Sequence, residues 1–147
     1  MNLFPNSAAG MRLHDQAHAL SERHWVFIWH FSQTDAVFDG HFPHQPVLAG
    51  VFLMEMAQRA MAHAVLATDG RAVRLRRVSH LRFFNAVFPG ETCALTVTWE
   101  SAAGDDGRIV AEVRFAKGRT KVAAGLLELA VVAEQVSANE REGADAV

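Results

Sequence analysis

The second half of the chain alternates apolar and polar residues with a period of two. Leu95, Val97 and Trp99 are separated by threonines, as in an antiparallel strand with one buried face. This pattern predicts strands over residues 73–87, 91–101, 108–118 and 120–133, joined by the turn sequences FPGE and AAGDDGR. The last of these segments is rich in alanine and leucine, which also suit a helix. Two earlier strands are predicted over residues 11–20 and 24–31.

Between the early and late strands, residues 49–68 contain strong helix formers and no proline. The segment is apolar on most faces, which is typical of a buried helix, and Gly70 follows its end. The order of two strands, one long helix and four strands favours an α+β fold in which an antiparallel sheet wraps around one central helix. The aromatic stripe on the second strand is expected to belong to the core or to an interface rather than to a cofactor site: Trp25, Phe27, Trp29 and Phe31.

The chain has 147 residues, half of them apolar, which indicates one domain over residues 1–134 followed by a polar tail over residues 135–147. A net charge of −2 favours no nucleic-acid partner. The single cysteine, Cys93, cannot form an internal disulfide, and we expect it to be buried and inert. We identify no secretory signal and no apolar run of the ~20 residues that a membrane span needs. These features predict a cytoplasmic protein.

One carboxylate, Glu55, lies in the middle of the apolar helix, and a histidine, His41, precedes it in the loop sequence GHFPHQP. A buried charge is costly unless it is neutralised or partnered. A carboxyl group in apolar surroundings can hold its proton near neutral pH and act as an acid. Histidine has the pKa range of a general base. Gly50 begins the helix, where unpaired N–H groups and the positive end of the helix dipole favour a developing oxyanion.

The segment GHFPHQPVLAGVFLME resembles the active-site segment of β-hydroxyacyl-acyl-carrier-protein dehydratases, which are hotdog-fold enzymes. The later sequence LRFFNAVFPGE is similar to the strand that leads into a Pro-Gly turn in that family, and the resemblance extends over about residues 22–133. Two positions differ from the pattern: Ala49 replaces a usual proline, and Gln58 follows Glu55 by three residues rather than four. The positions that match the pattern are Gly40, His41, Phe42, Pro43, Pro46, Gly50 and Glu55.

The resemblance implies dehydration of β-hydroxyacyl thioesters to trans-2-enoyl thioesters in fatty-acid, polyketide or polyene synthesis. It assigns His41 as base and Glu55 as acid, each from a different subunit. It assigns contacts with the oxyanion and the substrate to Gly50, Val51, Phe42 and Pro43. It also implies a homodimer or higher oligomer of dimers, or a heterodimer with another hotdog subunit. We expect no metal and no cofactor, since the remaining histidines lack zinc-like spacing.

The sequence RAVRLRR places arginines close together near the start of the third predicted strand. Arg74, Arg76 and Arg77 are either a solvated strand edge or a dock for the acyl carrier protein and its phosphopantetheine group. Strict alternation would place Arg74 and Arg76 on one face and Arg77 on the other.

Two other functions stay open. A hotdog thioesterase would share the fold, although thioesterases typically lack the Gly-His-Phe-Pro pattern. A non-catalytic subunit of a mixed hotdog dimer is the second alternative, and the intact pair of His41 and Glu55 argues against it.

Overall fold

The computed structural model describes residues 14–34, 38, 50–100 and 107–132. These residues form one helix and six strands. In chain order, the elements are β1 (Gln16–Ser21), β2 (His24–His30), α1 (Gly50–Asp69), β3 (Val73–Phe83), β4 (Thr92–Trp99), β5 (Arg108–Lys117) and β6 (Thr120–Val131). The strands form a single sheet in the order β1-β2-β4-β5-β6-β3, and every neighbouring pair is antiparallel.

The alternating sequence of β4 produces the expected strand with one buried face and one more exposed face. Cys93, Leu95, Val97 and Trp99 are buried, whereas the residues between them are half-buried or exposed. The buried face of the sheet packs against α1, and the predicted α+β fold with a sheet around one helix is confirmed. The helix contributes Phe52, Leu53, Met56, Ala57, Ala60, Met61, Ala64 and Val65 to the core. Three residues of the predicted aromatic stripe, Phe27, Trp29 and Phe31, are also buried, and Trp25 is partly buried against the core.

Two element boundaries differ from the predictions by more than two residues, and the structure decides the type of one ambiguous segment. β1 begins at Gln16, and residues 11–13 of the predicted first strand lie outside the described residues. β3 ends at Phe83 rather than residue 87, because the N–H groups of Phe84 and Asn85 both turn to the carbonyl of Val122. β6 is a strand and not a helix. Its backbone is paired on both sides, with β5 and with β3, which satisfies its N–H and C=O groups without a helix.

Asp69, the last residue of α1, ties the helix to two strands. Its carboxylate accepts hydrogen bonds from Arg23 Nη2 at 2.6 Å and from Trp99 Nε1 at 3.1 Å. Burial alone would raise the pKa of Asp69, but these two hydrogen bonds and the charges of Arg23 and Arg71 hold its pKa below the usual value. Next to it, Thr68 Oγ1 donates to the carbonyl of Glu22 at 2.7 Å. Asp69 thus joins the end of α1 to Arg23, in the turn between β1 and β2, and to Trp99 on β4.

Two β-bulges interrupt strand β3, one between Leu75 and Arg77 and one between Ser79 and Arg82. Arg74 pairs with Ala130, and Arg77 pairs with Glu128, on either side of the buried Leu129. Directly paired residues of antiparallel strands project to the same face. Arg74 and Arg77 therefore both lie on the outer face, and the prediction from strict alternation is wrong. The extra residue of the first bulge changes the phase of the strand.

No helix within the described ranges has both the length and the apolar composition required to cross a membrane. Residues 133–147, which include the predicted tail, lie outside the described residues, so the predicted domain limits stay a prediction.

Candidate active site

Helix α1 begins at Gly50, and its first turn contains no acidic residue. The orphan N–H groups and the positive dipole end at this terminus favour negative charge. Glu55 lies five residues further along, and its side chain retains only 16% of its exposure to solvent. The helix thus presents a half-buried carboxylate within about two turns of an anion-favouring terminus.

The ring of Phe83 lies directly over Gly50. A Cβ atom added at Gly50 would stand 2.9 Å from Phe83 Cζ, closer than real Cβ contacts allow. The absence of a side chain therefore lets the end of β3 approach the helix terminus. Phe83 is 53% exposed, and Val51 and Phe84 are about half exposed, so this terminus is bordered by accessible apolar surface. Phe83 is not among the site residues predicted from the sequence, although its place in the family-like segment LRFFNAVFPGE was an available signal.

Glu55 has a charged partner that was not predicted from the sequence. Arg59 Nε donates a hydrogen bond to Glu55 Oε1 at 2.9 Å, and the arginine side chain is one-third exposed. The i, i+4 spacing with glutamate first is the favourable order for such a pair on a helix. The partner explains how the mainly apolar first half of α1 accommodates a carboxylate.

The structure brings Gly50, Val51 and Glu55 together on α1. The other predicted site residues of the motif, His41, Phe42 and Pro43, lie outside the described residues. Arg74, Arg76 and Arg77 lie on β3 and are all exposed. Within residues 14–34, 50–100 and 107–132, no group of three or more histidine, cysteine, aspartate or glutamate side chains is placed to hold a metal ion.

Cys93 lies in the middle of β4 and is completely buried. Burial, with a smaller contribution from the charge of Glu91, raises the pKa of its thiol to about 12. The thiolate is the reactive form of cysteine, so this residue is placed for packing rather than chemistry.

One family of known proteins matches most of the chain. The model of the ApeI-like family, described as ApeI dehydratase, matches residues 16–133 of the chain. The chain belongs to the ApeI-like dehydratase family. This membership confirms the predicted relationship to the hotdog dehydratases.

Two relatives carry the same name, 3-hydroxyacyl-[acyl-carrier-protein] dehydratase FabZ. The protein from Latilactobacillus sakei is 42% identical over 72 residues, which are 47% of this chain and 51% of the relative. The chain therefore aligns with only about half the length of that relative. The protein from Streptococcus pyogenes is 29% identical over 124 residues, which are 74% of this chain and 89% of the relative.

Solved structures show the same fold. The dehydratase heterocomplex ApeI:P from Xenorhabdus doucetiae matches with a TM-score of 0.63 at 18% identity, over 79% of this chain and 95% of that chain. A variant of the fluoroacetyl-CoA-specific thioesterase FlK matches with a TM-score of 0.61 at 20% identity, over 91% of this chain and 98% of that chain. A dehydratase and a thioesterase match about equally well, so the fold alone does not separate the two activities.

Proposed function

We propose that this ApeI-like dehydratase removes water from β-hydroxyacyl thioesters carried by an acyl carrier protein and forms trans-2-enoyl thioesters. The observation that carries the proposal is the half-buried carboxylate of Glu55 close to the Gly50 end of α1, inside a motif that resembles the dehydratase active site. The two relatives named as dehydratases of carrier-bound 3-hydroxyacyl groups support the choice of substrate.

In the proposed reaction, His41 takes the proton from the carbon next to the thioester carbonyl. The electron pair of that C–H bond forms the new double bond, and the bond to the β-hydroxyl breaks. Glu55 gives its proton to the departing hydroxyl, which leaves as water. Oε1 of Glu55 accepts the hydrogen bond from Arg59, so we assign the proton transfer to Oε2.

Negative charge develops on the thioester oxygen during this step. We assign its stabilisation to the backbone N–H groups at the start of α1, at Gly50 and Val51, because preorganised donors at a helix terminus cost no reorganisation during the reaction. The exposed apolar side chains of Val51 and Phe83 border this terminus and suit an acyl chain. Phe42 and Pro43 complete the proposed substrate contacts.

We further propose that the site forms between two hotdog subunits, with His41 from one subunit and Glu55 from the other. The resemblance to the dehydratase family is the basis of this assignment. Arg74, Arg76 and Arg77 stay candidates for contact with the carrier protein. A cytoplasmic location agrees with the one buried free cysteine.

Catalytic substitutions test the proposal. His41→Ala and Glu55→Gln are each expected to lower turnover of carrier-bound β-hydroxyacyl substrate by at least ~10²-fold, a usual scale for general acid–base groups. Glu112→Gln is the matched control, since Glu112 is an exposed carboxylate paired with Arg114 on β5 and away from α1. Mixing the two inactive variants, with subunit exchange verified by mass spectrometry, is expected to restore part of the activity, because one of the two sites in a mixed dimer retains both groups.

The same assays decide between the alternatives. Release of free thiol without formation of the enoyl product would favour a thioesterase. If the folded chain is inactive alone and the two variants behave like the wild type in a complex with a second hotdog subunit, then the chain is a non-catalytic partner. Near-wild-type turnover by both variants would rule out the assigned acid and base.

A further inference from the structure

Glu55 and Arg59 lie outside the buried face of α1, in one row with the exposed Val51. The spacing of four residues places these three side chains one above the other, and helical side chains lean towards the N-terminus of the helix. Glu55 therefore leans towards the Gly50 end of α1, and Arg59 leans towards Glu55. The hydrogen bond of 2.9 Å from Arg59 Nε to Glu55 Oε1 follows from this arrangement.

The contact joins one nitrogen of the guanidinium to one oxygen of the carboxyl group. A fork in which two N–H groups bind both oxygens is the stronger geometry for arginine and a carboxylate, but it would leave neither oxygen for a substrate. Among the described residues, Glu55 Oε2 accepts no hydrogen bond. Arg59 thus holds one oxygen of Glu55 and leaves the other available.

The same contact determines which oxygen carries the proton when Glu55 is protonated. A guanidinium donates hydrogen bonds and accepts none, whereas a protonated carboxyl group has one acceptor oxygen and one O–H donor. Because Oε1 accepts the N–H of Arg59, the proton has to lie on Oε2. The oxygen that bears the proton is therefore the one that a substrate hydroxyl can reach.

The charge of Arg59 matters for the second half of the proposed step, in which Glu55 becomes a carboxylate. Only 16% of the Glu55 side chain is exposed, and a poorly solvated charge is costly unless it is paired. The guanidinium is always positively charged and lies 2.9 Å from Oε1. Its attraction grows as the carboxylate forms, so it stabilises the transition state more than the bound substrate, and such an interaction raises kcat.

We propose that Arg59 is a positioning residue for the dehydration: it holds Glu55 Oε1, keeps the acidic proton on Oε2 and stabilises the carboxylate that forms as water departs. The inference rests on the proposed function, because it takes Glu55 as the acid. Arg59 acts through Glu55 and does not contact the substrate. A leaving group that departs without a proton therefore makes both side chains unnecessary.

Two pantetheine thioesters of the same short chain length, one β-hydroxyacyl and one β-chloroacyl, test this dependence. Both give the same enoyl product. Chloride leaves with the electron pair of the C–Cl bond and takes no proton, so its elimination needs the base and not the acid. Arg59→Gln is expected to lower kcat for the hydroxy thioester by at least ~10-fold, the scale of one charge-assisted hydrogen bond, and to change KM by less than ~2-fold. Its rate on the chloro thioester, corrected for spontaneous elimination, is expected to match the wild type.

Further variants separate the charge from the fold. Arg59→Lys keeps the cation and is expected to retain more turnover of the hydroxy thioester than Arg59→Gln. The double variant Glu55→Gln, Arg59→Gln is expected to be no slower than Glu55→Gln alone, because Arg59 acts through Glu55. Arg108→Gln is the matched control: it breaks the pair with Glu128, whose side chain is 20% exposed, and is expected to change neither rate. Circular dichroism verifies each fold, and Arg59→Met replaces Arg59→Gln if the latter unfolds.

Three results would overturn the inference. An equal loss on the two thioesters would make the role of Arg59 structural. A higher KM with unchanged kcat would place Arg59 in contact with the substrate. A further loss in the double variant would show a role independent of Glu55.

The single variant Glu55→Gln distinguishes this inference from the proposed function. If Glu55→Gln retains turnover of the hydroxy thioester, Glu55 is not the acid and the proposed function fails. If Glu55→Gln is inactive on that substrate while Arg59→Gln matches the wild type, the acid stands and only the role given to Arg59 is wrong.

Discussion

Replacement of Asp69 by asparagine is expected to destabilise the fold while leaving the candidate site untouched. The substitution keeps the size of the side chain and removes its charge. In the native protein this carboxylate, with 11% of its side chain exposed, accepts bonds from Arg23 and Trp99 and joins the end of α1 to the β1–β2 turn and to β4. The variant leaves the indole N–H and the guanidinium with a neutral and geometrically poorer acceptor.

The expected loss follows from the two hydrogen bonds. Bonds to a charged group contribute about 1.5–3 kcal/mol each, and asparagine retains one acceptor oxygen, so we expect a net loss of roughly 2–3 kcal/mol in the free energy of unfolding. At about 3 °C per kcal/mol for a chain of this size, the midpoint of thermal unfolding should fall by roughly 6–9 °C. Urea unfolding monitored by tryptophan fluorescence would measure the same difference independently.

The pH dependence has a definite sign. The folded protein holds the pKa of Asp69 below its usual value, so the carboxylate contributes stability at pH values above the pKa of the unfolded chain, about 3.9. That contribution is lost as the pH falls through the lower, folded pKa. The difference between wild type and Asp69→Asn should therefore be full at pH 7 and decline progressively as the pH falls below about 4.

Glu112→Gln is the control, because this exposed carboxylate is paired with the largely exposed Arg114 and should change stability by less than about 1 kcal/mol. A loss below that size in Asp69→Asn, or a loss that persists undiminished at pH 2, would refute the role given to the charge of Asp69. A double-mutant cycle with Trp99→Phe would then show whether the indole bond alone ties α1 to β4.

Two further predictions concern Gly50 and Cys93. Gly50→Ala is expected to fold and to lose no more than about 1 kcal/mol in the free energy of unfolding, because the ring of the exposed Phe83 can move aside. The variant is expected to have a lower turnover, because the ring is displaced from the helix terminus. Unchanged kinetics would show that Phe83 is not part of the site. Cys93 is expected to resist a thiol reagent at pH 8 for hours in the native protein and to react within minutes in denaturant, since the thiol is buried and its pKa is about 12. Rapid labelling of the native protein would contradict this burial.

Local patterns determined most of the secondary structure. The period of two in β4 reports directly which residues face the core, and the structure buries Cys93, Leu95, Val97 and Trp99 as expected. The helix predicted over residues 49–68 spans Gly50–Asp69, because an apolar run of strong helix formers followed by glycine defines both ends from nearby residues. The motif around His41 and Glu55 was also visible in the sequence, because it is defined by residue types at fixed separations along the chain.

Only the tertiary structure decided the features that depend on distant residues. The composition of β6 suits a helix as well as a strand. Its pairing with both β5 and β3 makes it a strand. The bulge in β3 moved Arg77 to the face of Arg74, which no alternation rule predicts, because the extra residue is defined by the register against β6. The contact of Phe83 with Gly50 joins residues 33 positions apart in sequence. Sequence periodicity reports which face of an element is buried, whereas partners across the fold follow from how the elements pack together.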